Sequence, residues 1–454
     1  MLYYMDIIEY TKKFQCIEIE NDFFSKKTPG GVLYWDVVRY EVFNVIYNRL
    51  AKAEYNSTGQ LSGLSLMSKI YHLLKFLYST NFVKYKYLCF TYSRYSPNGG
   101  QHVDLILNDL LSIIQNKSMI IETYMRADVK YNYPIHFNFG WALFRYKEKL
   151  KGIFKKNPQK KFDVAEILNC VFETDIDLNP LIGCLLTRFE QESRYYQKLF
   201  TKMKPAIIFM TMNGIQKGMF AAAQKLRIPL VELQHAQIGF AHPAYSYPES
   251  IRPNQLETLP EYFFTFSPFW TKNINYPVKN IISIGNSYFA LKTIKKTRNY
   301  SILFIFANIY SKDMMGLLDK LLYEGFRERV CVKLHPNQAH EVDCIKKHYA
   351  KHPNVDIVFI ERSVKDLLSA SGSIIVVQST SLYEALHNNI KVMILKIKHY
   401  KLHANVFDDP NVYLVENAQD VLKALSNGYV KAHSISCFDD FNNNKLLDFL
   451  KVFE

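Results

Sequence analysis

Residues 330–336 read VCVKLHP, and residues 373–388 read SIIVVQSTSLYEALHN. Each opens as a short, β-rich apolar run. The first run ends on His335-Pro336. The second ends on Gln378-Ser379-Thr380-Ser381 and passes directly into a helix-like stretch, 382–388. In an open α/β sheet, ligands bind beyond the carboxyl ends of strands. A helix start adds free N–H groups and a positive dipole end. An imidazole and a Ser/Thr cluster at two such strand ends therefore make a phosphate site, and they mark the chain as a parallel α/β protein.

The same rhythm extends in both directions. Runs at 85–91, 118–123, 206–210 and 229–233 read as strands, with helical spacing at 104–114 and 216–225 between them. Further runs at 262–266, 280–284, 301–306, 355–360 and 391–395 continue it. Strands alternating with helices predict parallel sheets. Residues 35–50 and 64–78 carry apolar residues at helical spacing, and 182–202 predicts a long helix. Residues 130–165 read as an aromatic loop with a basic cluster at 147–161. Residues 236–260 are rich in Pro, His and Tyr, without a period, and loops of that length are usually functional or linking. The expected architecture is two Rossmann-like domains facing an interdomain cleft. Residues 1–260 form the N-terminal domain, with a helical extension. Residues 261–430 form the second domain, and 431–454 a C-terminal helix packing back on the first.

Composition sets the bounds. A chain of 454 residues with 48% hydrophobic and 22% charged residues builds a packed core of more than one domain. A net charge of +14 favours anionic partners: nucleic acid, acidic lipid headgroups or a phosphorylated substrate. The Lys and Arg residues are spread along the chain without a recognisable nucleic-acid module, so no nucleic-acid partner is expected. Seven scattered cysteines without a CxxC read as reduced thiols of a cytoplasmic protein. The start, MLYYMDIIEYTKK, lacks the features of a signal peptide, and no uncharged apolar run approaches the roughly 20 residues of a membrane span.

Polar residues at the strand ends carry the chemistry. His335 can donate to a phosphate oxygen, and Pro336 fixes the turn. His352-Pro353 reads as a surface turn. Capping explains one of the hydroxyls of Ser379, Thr380 and Ser381, but not Gln378 with all three. Glu384 lies on the first helical turn, where it can accept from ribose hydroxyls or simply favour the helix start. Gly285 and Asn308 also stand at strand ends and are taken into the donor site. In the first half, Asn213, Gln234 and His242 are placed on the acceptor side. His235 is the candidate base, able to take a proton from an acceptor hydroxyl; Glu232, two residues upstream, either orients it or is paired within the layers. Asp175-Ile176-Asp177 resembles a metal-binding DxD but lies between helical segments, where capping is the better reading. No metal or other cofactor is expected.

The segments VELQHAQIGFAHPAYSYP (231–248), IISIGN (281–286), VKLHP (332–336) and QSTSLYEAL (378–386) resemble bacterial glycosyltransferases of the GT-B fold that build capsule and lipopolysaccharide. Kdo and sialic acid transferases and CDP-glycerol glycerophosphotransferases are similar in these motifs. The resemblance implies that His335 and Ser379–Ser381 hold the phosphate of a CMP- or CDP-linked donor, and that His235 acts as base. The chain departs from the pattern at Ala236, where the family has Gly. It also has Met212-Asn213-Gly214 where sialyltransferases carry an acidic pair before Gly. The function implied is metal-independent transfer of a sugar from a nucleotide-linked donor to a surface-polysaccharide or lipopolysaccharide acceptor, oligosaccharide or lipid-linked. Transfer would occur at an anionic membrane surface on the cytoplasmic side, where each surface Lys or Arg contributes about 1 kcal/mol. A nucleotide-sugar 2-epimerase shares the two-domain plan but needs a carboxylate pair in the cleft. A basic nucleic-acid-binding protein is the alternative from another class.

Overall fold

The computed structural model describes residues 6–28, 31–51, 66–91, 95–98, 101–122, 134–152, 161–211, 214, 216–292, 299–430 and 435–454. Two parallel sheets organise them. The first runs in the order Ile135–Phe137, Ser118–Glu122, Tyr87–Thr91, Ile207–Thr211, Leu230–Leu233, Tyr262–Thr265, Asn280–Ser283. The second runs Val355–Val358, Val330–Lys333, Tyr300–Ile305, Ser371–Val376, Lys391–Leu395, Val412–Val415. Numbered along the chain, both have the doubly wound order 3-2-1-4-5-6, and the first adds a seventh strand at its edge.

Each sheet is buried on both faces, which is why its strands read as continuous apolar runs. Leu88, Phe90, Ile121 and Met210 pack into one cluster with the helix Leu178–Met203, while Cys89, Ile120, Phe209 and Val231 pack into another on the opposite face. In the second sheet, Phe304, Val332 and Ile375 face the helix Ser311–Tyr323, and Leu303, Cys331 and Ile374 face the other way. That last cluster is continuous with the first domain, so one core joins the two.

The first domain is larger than the sequence predicts. Tyr262–Thr265 pairs in parallel with Leu230–Leu233, and Asn280–Ser283 with Tyr262–Thr265. A boundary after residue 260 therefore falls inside a sheet. The period-free stretch 236–260, which looks like a linker, is an excursion between two neighbouring strands. The C-terminal helix Asn443–Lys451 lies on this same sheet. Phe449 packs edge-on against Tyr262 and Phe264 at 4.9 and 5.0 Å, and the preceding segment is held by Trp270 Nε1, which donates to the Cys437 carbonyl at 2.6 Å.

Other elements escape the sequence patterns. Residues 134–152 form a short edge strand and the helix Phe139–Gly152 rather than an aromatic loop, and Asp163–Phe172 begins a further helix. In front of the first sheet, Ile7–Glu20, Trp35–Leu50 and Asp163–Phe172 form a helical layer around Tyr10, Phe14, Trp35, Phe43 and Leu168. Asp177 caps Leu178–Met203 by accepting from the Asn179 N–H at 3.3 Å, and Asp175 pairs with Arg49 at 3.2 Å, so the DxD carboxylates serve helix and surface.

Gly285, expected in the donor site, instead stands at the edge of the first sheet for a steric reason. Its φ is +84°, and a Cβ there would lie 2.2 Å from the Asp440 carbonyl oxygen. It makes room for the returning C-terminal segment, whose Asp439 carbonyl accepts from the Asn286 N–H at 2.9 Å. Gly285→Ala is expected to destabilise the protein by about 2 kcal/mol or more, measured by urea unfolding. Unchanged stability would show that the tail is not seated there.

Candidate functional site

In a doubly wound sheet the crevice opens where the winding reverses, between strands 1 and 4. In the second sheet these are Tyr300–Ile305 and Ser371–Val376. Just past their carboxyl ends stand Ala307-Asn308 and Gln378–Ser381. Val330–Lys333 lies on the other side of Tyr300–Ile305, so His335 emerges one strand away on the same edge. Two strand spacings separate it from the Ser/Thr cluster, roughly 10 Å of backbone. The sheet thus gathers His335, Asn308 and Gln378–Ser381 along one edge.

His335 is exposed, and its orientation is built. Its backbone N–H donates to Gln338 Oε1 at 2.7 Å, and its Nδ1 accepts from the Asn337 N–H at 3.2 Å. Gln338 is anchored in turn by donating to Ser311 Oγ at 2.7 Å and Glu341 Oε2 at 2.9 Å. Pro336 opens the short turn Pro336–Gln338. Partial desolvation, and then the charge of Lys333, hold His335 below the ordinary histidine value. At neutral pH the ring is therefore neutral, and with Nδ1 accepting, its proton sits on Nε2. It is a fixed donor.

Ser379 Oγ accepts from the Ser381 N–H at 3.2 Å, so one of the three hydroxyls caps the helix Ser381–His387. Thr380 makes no such bond and is exposed with Gln378, while Ser381 is buried. Asn308 opens the turn Asn308–Tyr310 at the neighbouring strand end. Glu384 is half-buried; desolvation raises its carboxyl to about 7, against the opposing pull of Lys365, whose Nζ donates to the Tyr288 carbonyl at 2.7 Å.

In the first domain, Gln234 is a bracing residue rather than an acceptor ligand. It is 1% exposed. Its Nε2 donates to the Ala236 carbonyl at 2.9 Å, and its Oε1 accepts from the Phe266 N–H at 2.9 Å. These bonds fix the backbone just after His235, which is half-buried at the strand end, and tie it to the end of the neighbouring strand. His242 is likewise inward: its Nδ1 accepts from the Ala244 N–H at 3.3 Å, its ring lies 4.9 Å from Tyr245, and burial lowers it to about 4. It is half-buried and braces the loop. Glu232 accepts from Tyr245 Oη and Tyr276 Oη, both at 2.8 Å, and so is paired within the layers. Asn213 lies outside the described residues.

The loop after His235 is held by the N-terminal helices. Glu18 and Arg39 form a fully buried pair, Nε to Oε1 at 2.5 Å and Nη2 to Oε2 at 3.0 Å, and Trp35 Nε1 donates to Glu18 at 2.7 Å. Arg39 also donates to the Pro243 carbonyl and, at 3.0 Å, to that of Ser246. Nearby, buried Asp36 accepts from Lys217 Nζ at 2.9 Å and Tyr247 Oη at 2.7 Å.

The carboxyl edges of the two sheets meet. Gln237 Nε2 donates to the Leu402 carbonyl at 3.3 Å, and Leu402 comes shortly after the strand Lys391–Leu395. Tyr383 packs on Trp270 at 4.5 Å. Sequence patterns do not single out Tyr310 and His399, which bond at this edge; the His399 ring lies 5.3 Å from Tyr47 of the helical layer, and burial and Lys398 lower it to about 4. The only hint in the sequence is the run KHYKLH just past a strand. A cavity of about 590 Å³ lies elsewhere, beside Phe24, Lys27, Phe189 and Thr258, and its described lining holds no candidate site residue. Among the described residues, no three His, Cys, Asp or Glu side chains gather as a metal site.

No protein-family model matches the sequence, and no curated protein does. Among solved structures, the chain resembles the UDP-GlcNAc 2-epimerase of Methanocaldococcus jannaschii at 13% identity and TM-score 0.47, over 82% of this chain and 100% of that one. It also resembles a putative UDP-N-acetylglucosamine 2-epimerase from Listeria monocytogenes (14%, TM-score 0.49, 81% and 96%) and MurG of Acinetobacter baumannii (12%, TM-score 0.41, 73% and 86%). At these values the likeness assigns neither an activity nor a substrate.

This geometry has two measurable consequences. Arg39→Met leaves Glu18 buried without its cation and is expected to cost about 3–5 kcal/mol, read by urea unfolding; a loss below about 1 kcal/mol would show that the pair does not hold the loop. The raised Glu384 carboxyl binds a proton more tightly in the folded than in the unfolded chain. Its contribution is therefore full below about pH 4.5 and lost as pH rises through about 7. Glu384→Gln should flatten the fall in stability over that window, and an unchanged pH profile would contradict the assigned burial.

Proposed function

We propose that the chain is a nucleotide-sugar-dependent glycosyltransferase, with the donor held by the second domain and the acceptor by the first. The supporting observation is the donor-rich carboxyl edge at the winding reversal of the second sheet. There His335 presents Nε2–H, and Ser379 and Thr380 follow the strand two positions away on the same edge, with the turn at Asn308 on the strand between. Glu384, once ionised, suits a ribose diol.

In this reading His235 takes the proton of an acceptor hydroxyl as that oxygen bonds to the anomeric carbon. The bond from that carbon to the donor phosphate oxygen breaks, and the leaving phosphate keeps the electron pair. Its charge is met by His335, the Ser/Thr hydroxyls and the backbone N–H group at Thr380. The reading routes no step through a metal, because Asp175 and Asp177 are spent at a surface pair and a helix cap. A surface-polysaccharide or lipopolysaccharide acceptor, and a CMP- or CDP-linked donor, rest on the resemblance of the quoted motifs.

Thermal unfolding with CMP, CDP, UDP, GDP and dTDP should show at least one nucleotide raising the melting temperature. His335→Ala should weaken that nucleotide about tenfold or more. His235→Ala should keep the shift and lose about 10²–10⁴-fold in turnover. No shift from any nucleotide, or an undiminished shift in His335→Ala, overturns the donor site. Conversion of a nucleotide-sugar without any acceptor would establish the 2-epimerase alternative instead.

A further inference from the structure

The helix Leu66–Phe82 covers the edge strand Ile135–Phe137 with one face and turns an apolar stripe outward. Ile70, Leu74, Tyr78 and Phe82 recur every four residues, flanked by Tyr71 and Leu77. Tyr71, Leu74, Tyr78 and Phe82 are 62, 60, 61 and 77% exposed. The neighbouring helix Phe139–Gly152 adds exposed Leu143 and Tyr146. Soluble proteins rarely leave such a contiguous aromatic and aliphatic surface uncovered unless something docks on it.

The rim of this surface is cationic. Lys198 Nζ lies 5.6 Å from the Phe144 ring, and Lys202 Nζ donates to Asn81 Oδ1 at 2.6 Å, so exposed lysines border both helices. Lys84, Arg145 and Lys147 are exposed beside them. Tyrosine and phenylalanine beside lysine suit the boundary between headgroups and acyl chains. A second copy of the chain is the poorer occupant, because two-fold pairing would set the two cationic rims against each other.

We propose that the face formed by Leu66–Phe82 and Phe139–Gly152 docks on an anionic lipid bilayer, inserting the Ile70–Phe82 stripe while the lysine rim engages lipid phosphates. The inference is independent of the transferase reading, since it needs neither nucleotide nor acceptor.

The test is co-sedimentation of the full chain with phosphatidylcholine vesicles, with and without phosphatidylglycerol. Binding should require phosphatidylglycerol and weaken as salt is added. Leu74→Glu with Tyr78→Glu should reduce it about tenfold or more at an unchanged melting temperature, and Lys147→Glu with Lys198→Glu should reduce it without touching the stripe. No binding to phosphatidylglycerol vesicles, or full binding by the Leu74→Glu, Tyr78→Glu variant, overturns the proposal. So does a dimer that this variant dissociates, in a protein that ignores vesicles. Nucleotide binding by the protein is unaffected by any of these outcomes, so the two proposals fail separately.

Discussion

The structure depends on one topological constraint: in each sheet the chain winds outward from a central strand, then returns and winds the other way. Tyr87–Thr91 and Tyr300–Ile305 are those strands. Helices that cover opposite faces on either side of the reversal cannot both close over the strand ends, and a crevice remains there. The two sheets are placed with their carboxyl edges in contact. The Gln237–Leu402 and Tyr383–Trp270 contacts show that they are so placed.

The N-terminal helices brace a loop that has no regular secondary structure. Residues 236–260 form neither strand nor helix, yet they carry the chain out of the strand that ends at His235. Their backbone carbonyls at Pro243 and Ser246 are met by Arg39, whose charge is balanced by Glu18. A buried pair of this kind contributes little net stability against an apolar substitute but is costly to break. Its consequence here is positional: the N-terminal helices hold the loop that follows His235.

Much of the architecture is legible in the sequence because the strands are buried on both faces. A run such as SILFIF or SIIVV then needs no alternation to be seen, and the residues after it fall at a strand end. Hence spacing alone gathers His335, Asn308 and Gln378–Ser381 on one edge. The domain boundary is not legible, because a held loop and a flexible linker look alike in composition. Gly285 illustrates the same difficulty: glycine after a strand signals close approach, but only the fold shows that the approaching group is the chain's own C-terminal backbone. Gln234 and His242 have polar side chains that the sequence offers equally to a ligand or to neighbouring backbone; in the fold Gln234 meets backbone through both amide atoms and His242 through Nδ1. The helix Phe139–Gly152 is hidden because its outward face mixes Arg145 and Lys147 with exposed Leu143 and Tyr146, which blurs its period.

The central claim is the position of an anion at the winding reversal of the second sheet. A crystal structure of the protein with a bound nucleoside diphosphate tests it directly. The account predicts phosphate oxygens within hydrogen-bond distance of His335 Nε2 and of the groups at Ser379–Ser381, with Glu384 at the ribose. Phosphates seated in the 590 Å³ cavity beside Phe24 and Lys27, or anywhere away from these strand ends, would contradict it.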